Sequence, residues 1–134
     1  MNVATPERDP LRVLVVEDKP INRQVLGLIL ETVNARTTFA ENGLEGVRAY
    51  EQEPFDVVLM DLRMPVMDGY QATRQIRDVE RTRRAPRTPV IVVSAHTRPH
   101  EIEAARQAGA DHHMGKPVNV PALLGAIRGA TEPL

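Results

Sequence analysis

Two acidic clusters each follow directly on an apolar run: Glu17 and Asp18 after Val13-Leu14-Val15-Val16, and Asp61 after Val57-Val58-Leu59-Met60. Ser94 and Lys116 end two further segments of the same kind. If these runs are parallel strands, their ends share one edge of a sheet, where the connecting loops build a binding crevice. Residues far apart in the chain then meet. Three carboxylates, one hydroxyl and one ammonium in such a crevice make a site for a hard divalent cation and a phosphoryl group.

The elements that must position these groups can be read from the pattern of apolar residues. Strand-like runs cover Val13 to Val16, Val57 to Met60 and Val90 to Val93, with weaker ones over Thr37 to Ala40 and His112 to Met114. The three stronger runs read as near-continuous Val/Leu/Ile and not as an alternation, which indicates burial on both faces and hence a parallel sheet. Between them lie segments of helical period. Val25, Leu26, Ile29, Leu30 and Val33 fall on one face of a first helix, and Val120, Leu123, Leu124 and Ile127 mark the last. Asn42 with Glu45 and Asp68 with Gln71 read as helix starts of the capping-box kind, leading into Leu44 and Val47 and into Ala72, Ile76 and Val79. Pro99 suits a first helical position, Glu101 and Glu103 favour the positive end of that helix, and Gly109 can take its left-handed stop.

The order is thus five β-then-α units, with strand ends near 18, 40, 61, 94 and 116. Right-handed crossovers between parallel strands then give a doubly wound, three-layer α/β fold with a five-stranded parallel sheet. The 134 residues fit one domain. We expect a flexible leader over 1–10, the domain over 11–129 and a short tail over 130–134. Hydrophobic content of 42% and charged content of 26% are ordinary for a soluble globular chain, and the net charge of −1 argues against a general grip on nucleic acid. The basic stretch Arg81 to Arg87 (RTRRAPR) has no interleaved aromatics, so a solvated loop is expected there. The chain has no Cys, and the leader MNVATPERDP lacks the apolar stretch of a signal peptide. No run approaches membrane-spanning length, so a cytoplasmic location is expected.

The run VVLMDLRMPVMDG around Asp61, with Glu17-Asp18, Ser94-Ala95 and Lys116-Pro117 in that order and spacing, closely resembles the receiver domain of two-component response regulators. Four separated motifs agree, over about Leu11 to Ile127. The segment Lys19-Pro20-Ile21-Asn22-Arg23-Gln24-Val25 is most similar to receivers of hybrid histidine kinases. The resemblance implies a flavodoxin-like (βα)5 fold and a phosphorelay function without further enzymatic output. Asp61 would be the phosphoacceptor, taking a phosphoryl group from a phosphohistidine as a carboxylate nucleophile. Asp18, Asp61 and the backbone carbonyl of Arg63 would hold Mg²⁺ directly, with Glu17 acting through a water or at longer range. Lys116 would pair with Asp61 at rest and with a phosphoryl oxygen afterwards. Ser94 would donate a hydrogen bond to the phosphoryl group and pull its loop inward as the switch. Pro117 would follow a cis bond.

The implied partners are a histidine kinase or histidine phosphotransfer protein and a downstream protein target, with neither nucleic acid nor membrane. In receivers of this kind the start of the first helix is the docking surface for the phosphodonor. Val25, Leu26 and Ile29 are expected in the core, which leaves Ile21, Gln24 and Leu28 as docking candidates. Only Gly129 to Leu134 follow Arg128, too few for an output domain, so the chain is expected to act through a partner, relay phosphate or be a fragment.

The family's usual Tyr or Phe three residues before the Lys is here His113, which puts the usual aromatic switch in doubt. His112 and His113 adjoin and would face opposite sides of a strand, which disfavours a shared zinc. Arg63, two residues after Asp61, and His96, two after Ser94, occupy positions that influence acyl-phosphate lifetime in this family. Both are expected to limit or position the attacking water. A haloacid-dehalogenase-like phosphatase also combines an Asp nucleophile, Mg²⁺ and a doubly wound sheet. It needs an acid where Arg63 stands. A receiver acting only as a scaffold and a flavodoxin relative fit the residues less well.

Overall fold

The computed structural model describes residues 9–132. Residues 1–8 of the expected leader and 133–134 of the expected tail lie outside the described residues. Strands and helices alternate along the chain: β1 (Arg12–Val16), α1 (Pro20–Glu31), β2 (Arg36–Ala40), α2 (Gly43–Gln52), β3 (Val57–Met60), α3 (Gly69–Arg83), β4 (Val90–Ser94), α4 (Pro99–Ala108), β5 (His112–Gly115) and α5 (Val120–Thr131). The five strands form one parallel sheet in the order β2-β1-β3-β4-β5. This is the flavodoxin-like order, with its reversal between β1 and β3. The expected fold is the observed one.

Alternate residues along each central strand feed two separate cores. Val13, Val15, Val57, Leu59, Ile91 and Val93 meet Leu26, Ile29 and Leu30 of α1 and Leu123 and Ile127 of α5. Leu14, Val16, Val58, Met60, Val90 and Val92 meet Val47 and Tyr50 of α2, Ala72 and Ile76 of α3, and Ala105 of α4. Continuous apolar runs are therefore required in the three central strands, because each of these is covered on both sides. Each buried Val, Leu, Ile or Met among them contributes roughly 1.5–3 kcal/mol, which offsets the backbone entropy of ordering the sheet.

Local chemistry sets the helix boundaries. Asn42 and Asp68 cap α2 and α3, accepting the backbone N–H of Glu45 (2.9 Å) and Gln71 (2.8 Å). The reciprocal arm of the α2 box is shifted by one residue, since the Glu45 carboxylate accepts from the N–H of Glu41 and not of Asn42. Pro99 opens α4 and Gly109 closes it at φ +116°, a left-handed conformation that glycine adopts without steric cost.

Several expectations are corrected. Val25 is 43% exposed, because the ridge of α1 that meets the sheet is Leu26, Ile29 and Leu30 and Val25 points away from it. Val33 lies beyond the end of α1, exposed in the turn that Asn34 completes at φ +57°. Val120 is likewise exposed at the start of α5. Arg81 and Arg83 belong to the last turn of α3 and not to a loop, favoured there by the negative end of the helix dipole. Arg87 is tied down, donating to Asp111 Oδ1 (2.8 and 3.0 Å) and to the Gly109 carbonyl.

A buried polar cluster at the N-terminal edge of the sheet has no counterpart in the sequence reading. Arg77 donates to both oxygens of Glu80, to the carbonyls of Thr88 and Gly109, and to Asp111. Glu80 Oε2 also accepts from the Tyr50 hydroxyl at 2.7 Å and from the Thr88 N–H at 2.7 Å. Burial, together with the Glu80 charge, pushes the Tyr50 hydroxyl up to about 12. This network joins α2, α3 and the starts of β4 and β5, at the end of the sheet remote from the acidic clusters.

Candidate functional site

The register of the sheet brings the acidic clusters together. Val16 pairs with Met60, so Glu17 and Asp61 are the next residues on adjacent strands, and the Asp61 N–H donates to the Val16 carbonyl at 3.0 Å. Ser94 pairs with Gly115 at the ends of β4 and β5, and the Lys116 N–H donates to the Ser94 carbonyl at 3.0 Å. Four neighbouring strands thus deliver Asp18, Asp61, Ser94 and Lys116 to one edge. Glycine is required behind Asp61, because a Cβ on Gly69 would collide with the Asp61 carbonyl oxygen where α3 begins. The connecting loop turns tightly at Val66, with φ +71° and a Met67 N–H to Pro65 carbonyl bond of 2.7 Å, a γ-turn geometry.

Glu17, Asp18 and Asp61 each place a carboxylate oxygen within 4.8 Å of the others. Glu17 is almost wholly buried, and both of its oxygens are taken: Oε1 accepts from Lys116 Nζ at 2.6 Å and Oε2 from the Lys19 N–H at 3.0 Å. Asp61 is also buried, with Oδ1 accepting the Leu62 N–H at 2.8 Å and Oδ2 lying 3.6 Å from Lys116 Nζ. Lys116 therefore reaches both acids, and its short bond is to Glu17. Asp18 Oδ1 is buried without a hydrogen-bond partner.

Electrostatics divide the two buried acids. Burial and then the Glu17 charge raise the Asp61 carboxyl above its ordinary value, outweighing Lys116 and the Leu62 N–H. Burial also works to raise Glu17, but the bonds from Lys116 and Lys19 hold it below the ordinary value. Crowded like charges beside an unpartnered buried oxygen fit a hard divalent cation, whose charge relieves the repulsion and whose oxygen coordination satisfies Asp18.

Ser94 is fully buried, and its Oγ accepts the His96 N–H at 3.0 Å, leaving the hydroxyl proton to donate elsewhere. His113 Nε2 lies 3.0 Å from the His96 carbonyl, while its Nδ1 is buried without a partner. His112 is exposed, on the other side of β5. The peptide bond between Lys116 and Pro117 is cis.

Arg63 and His96 both reach a residue that the sequence reading treated only as a favourable helix start. Glu101, in the first turn of α4, is 6% exposed. Its Oε2 lies 3.2 Å from Arg63 Nη2 and 3.5 Å from His96 Nδ1, and its Oε1 accepts the Arg98 N–H at 3.2 Å. Against the effect of burial, the Arg98 N–H and then Arg63 hold the Glu101 carboxyl below its ordinary value. Its only sequence signal is that of an acid in the first turn of a helix, favoured by the positive end of the dipole. On α1, Ile21 (64%) and Leu28 (58%) are exposed as expected, and Val25 joins them.

A family model described as the response regulator receiver domain matches residues 13–128. The sensor histidine kinase GacS of Pseudomonas protegens is 38% identical over 108 residues, covering 81% of this chain and 12% of the relative. The peroxide stress-activated histidine kinase mak1 of Schizosaccharomyces pombe is 35% identical over 120 residues, covering 87% of this chain and 7% of the relative. The chain thus spans about a tenth of the length of the curated relatives it matches. Among solved structures, the receiver domain of a sensor histidine kinase from Pseudomonas aeruginosa PAO1, with magnesium coordinated in its active-site cleft, superimposes with a TM-score of 0.83. It is 34% identical and covers 92% of this chain and 98% of its own. A chain in the co-crystal of the Saccharomyces cerevisiae histidine phosphotransfer protein Ypd1 and the receiver domain of its downstream response regulator Ssk1 gives 0.85. Its identity is 30%, with coverage of 91% of this chain and 89% of that chain. Among the described residues no helix is long and apolar enough to cross a membrane.

Proposed function

This chain belongs to the response regulator receiver domain family, and from that premise we propose that it is a phosphorelay module whose phosphoacceptor is Asp61. The observation that carries the assignment is the convergence of Glu17, Asp18 and Asp61 within 4.8 Å, with Lys116 alongside. In the transfer, an Asp61 carboxylate oxygen attacks the phosphorus of a phosphohistidine. The new O–P bond forms as the P–N bond breaks, and the departing imidazole takes up a proton from solvent.

Asp18 and Asp61, with the backbone carbonyl of Arg63, would hold Mg²⁺ directly. Glu17 has both oxygens already engaged, which supports an outer role through a water. When bound, the ion would offset repulsion between the carboxylates and the anionic phosphoryl donor. Lys116 is the fixed cation of the site, able to pass from the acids to a phosphoryl oxygen once the acyl phosphate forms. Ser94 supplies the hydroxyl that donates to the phosphoryl group. That motion carries the β4–α4 loop with it, because His96 is bonded to Ser94 Oγ through its N–H and to His113 through its carbonyl. His113 stands in this linkage where Tyr or Phe is usual in the family. Phosphorylation adds about −1.5 to −2 charge, enough to redirect these nearby donors.

The donor is a histidine kinase or histidine phosphotransfer protein, docking beside the site on the exposed Ile21, Gln24, Val25 and Leu28 of α1. The output is altered binding of a protein target or onward relay of the phosphate, with autodephosphorylation as the only other chemistry. A panel of histidine kinases and phosphotransfer proteins from the source organism, tested for Mg²⁺-dependent phosphotransfer, checks the assignment. Label should reach the wild type and not Asp61→Asn. Retained, Mg²⁺-independent labelling of Asp61→Asn overturns it.

A further inference from the structure

A cleft of about 720 Å³ opens between the C-terminal half of α3 and the end of α4, near the start of β4 and so at the end of the sheet remote from Asp61. Five arginines line it: Arg74, Arg77 and Arg81 along α3, Arg84 at its C-cap, and Arg87 in the loop that leads to β4. The only acids in the lining are Asp78 and Glu80, and both are already paired, with Arg81 and Arg77. Arg87 is held by Asp111. Arg74 and Arg84 are exposed, and among the described residues neither is in an ion pair. Two helices end here, and free carbonyls at such ends would draw cations. These carbonyls are instead spoken for. Those of Glu80 and Arg81 accept the Arg84 N–H, those of Ala105 and Arg106 accept the Gly109 N–H, and that of Gly109 accepts from Arg77 and Arg87. The cleft is left with donors in excess of acceptors. Its floor is fixed, since the Arg77 side chain is 7% exposed and crosses from α3 to Gly109, where a Cβ would meet Arg77 Cγ at 2.8 Å.

We propose that this cleft is a binding site for a polyphosphate, either a linear chain or the triphosphate of a nucleotide, held chiefly by Arg74 and Arg84. A guanidinium presents a planar fork of N–H donors that matches two phosphate oxygens at once. Arg74 and Arg81 stand two turns apart on α3, roughly 10 Å at 1.5 Å per residue. One orthophosphate cannot span that distance, whereas linked phosphates engage several forks together. The volume falls within the range of about 300–1,000 Å³ typical of small-molecule sites, and the concave shape suits a small ligand better than the face of a protein partner. Among the described residues no aromatic ring lines the cleft, so the phosphates and not a base carry the recognition. The site is separate from the Asp61 chemistry and makes no demand on Mg²⁺.

The test is to titrate the full chain with tripolyphosphate, without Mg²⁺ and at physiological ionic strength, where exposed charges more than about 8 Å apart are screened from one another. Calorimetry reads the affinity and amide NMR shifts read the place. Binding should saturate, with shifts centred on Arg84 and Gly109. Arg74→Gln/Arg84→Gln should weaken it about tenfold or more, the loss expected for charge-assisted bonds. The variant should fold as the wild type does, because both side chains are exposed. Arg48→Gln/Arg128→Gln removes the same charge from exposed positions elsewhere and should leave the affinity nearly unchanged. ATP should bind as tightly as tripolyphosphate, and orthophosphate far more weakly. Absence of saturable binding, shifts centred on Ser94 and Lys116, or equal weakening by the two double variants overturns the inference. So does binding of ATP without tripolyphosphate, and so does equally tight binding of hexaglutamate, which would assign the cleft to an acidic protein segment.

Discussion

Replacing Asp61 with Asn removes one charge from a crowded cluster and keeps an oxygen to accept the Leu62 N–H. The carboxylates of Glu17 and Asp18 each present an oxygen within 4.8 Å of one on Asp61. At an effective dielectric of about 20, a like-charge pair at that distance is unfavourable by roughly 3.5 kcal/mol. The Lys116 ammonium, 3.6 Å away, returns roughly 4.6 kcal/mol. Two repulsions against one attraction leave Asp61 opposed by about 2 kcal/mol, and burial acts in the same direction. Without Mg²⁺, Asp61→Asn should therefore be more stable than the wild type by about that amount near pH 7.5. The sign follows from the raised carboxyl of Asp61. Its contribution to stability is fully present below the ordinary value of 3.8 and is lost as pH rises through the higher folded-state value. Urea unfolding of both proteins without Mg²⁺ should thus show a gap near zero at about pH 3 that opens on the way to neutrality. An Asn variant less stable than the wild type at pH 7.5, or a gap that does not change with pH, would refute the reasoning.

Three further outcomes are expected. At ten times its dissociation constant, Mg²⁺ should stabilise the wild type by about 1.4 kcal/mol, seen as a rise in thermal midpoint, and the rise should shrink sharply in Asp61→Asn; equal shifts count against the carboxylate site. Arg77→Ala strands the buried Glu80 carboxylate and should cost about 3–5 kcal/mol in urea unfolding, whereas a loss under 1 kcal/mol would mean that the network is dispensable. Lys116→Met should raise the Glu17 carboxyl, since burial is then opposed only by the Lys19 N–H and the Asp18 hydrogen bond; side-chain carbon NMR titration reads this directly. In the wild type, the contribution of Glu17 to stability is present above the ordinary value of 4.5 and is lost as pH falls through its lower folded-state value, and Lys116→Met should weaken that dependence.

The sequence by itself determined the elements and the edge on which the site stands. Val13 to Val16, Val57 to Met60 and Val90 to Val93 are apolar without alternation because both faces of a doubly wound sheet are covered, and that property is local enough to read from the chain. The caps at Asn42 and Asp68 and the bounds of α4 at Pro99 and Gly109 are equally local, because each acts on backbone groups within a few residues. Once the strands are parallel, Asp18, Asp61, Ser94 and Lys116 must share one edge. Local pattern does not decide which face of α1 turns inward or where that helix stops, and so Val25 and Val33 stand exposed against expectation. Nor could it choose partners for charges. Lys116 bonds most closely to Glu17, 99 residues away, and Glu101 collects Arg63 from 38 residues away. Arg77 gathers acceptors from α3 and from the starts of β4 and β5. Ion pairing depends on distances of a few ångströms between segments that the chain order leaves unrelated, and only the packed tertiary structure sets those distances.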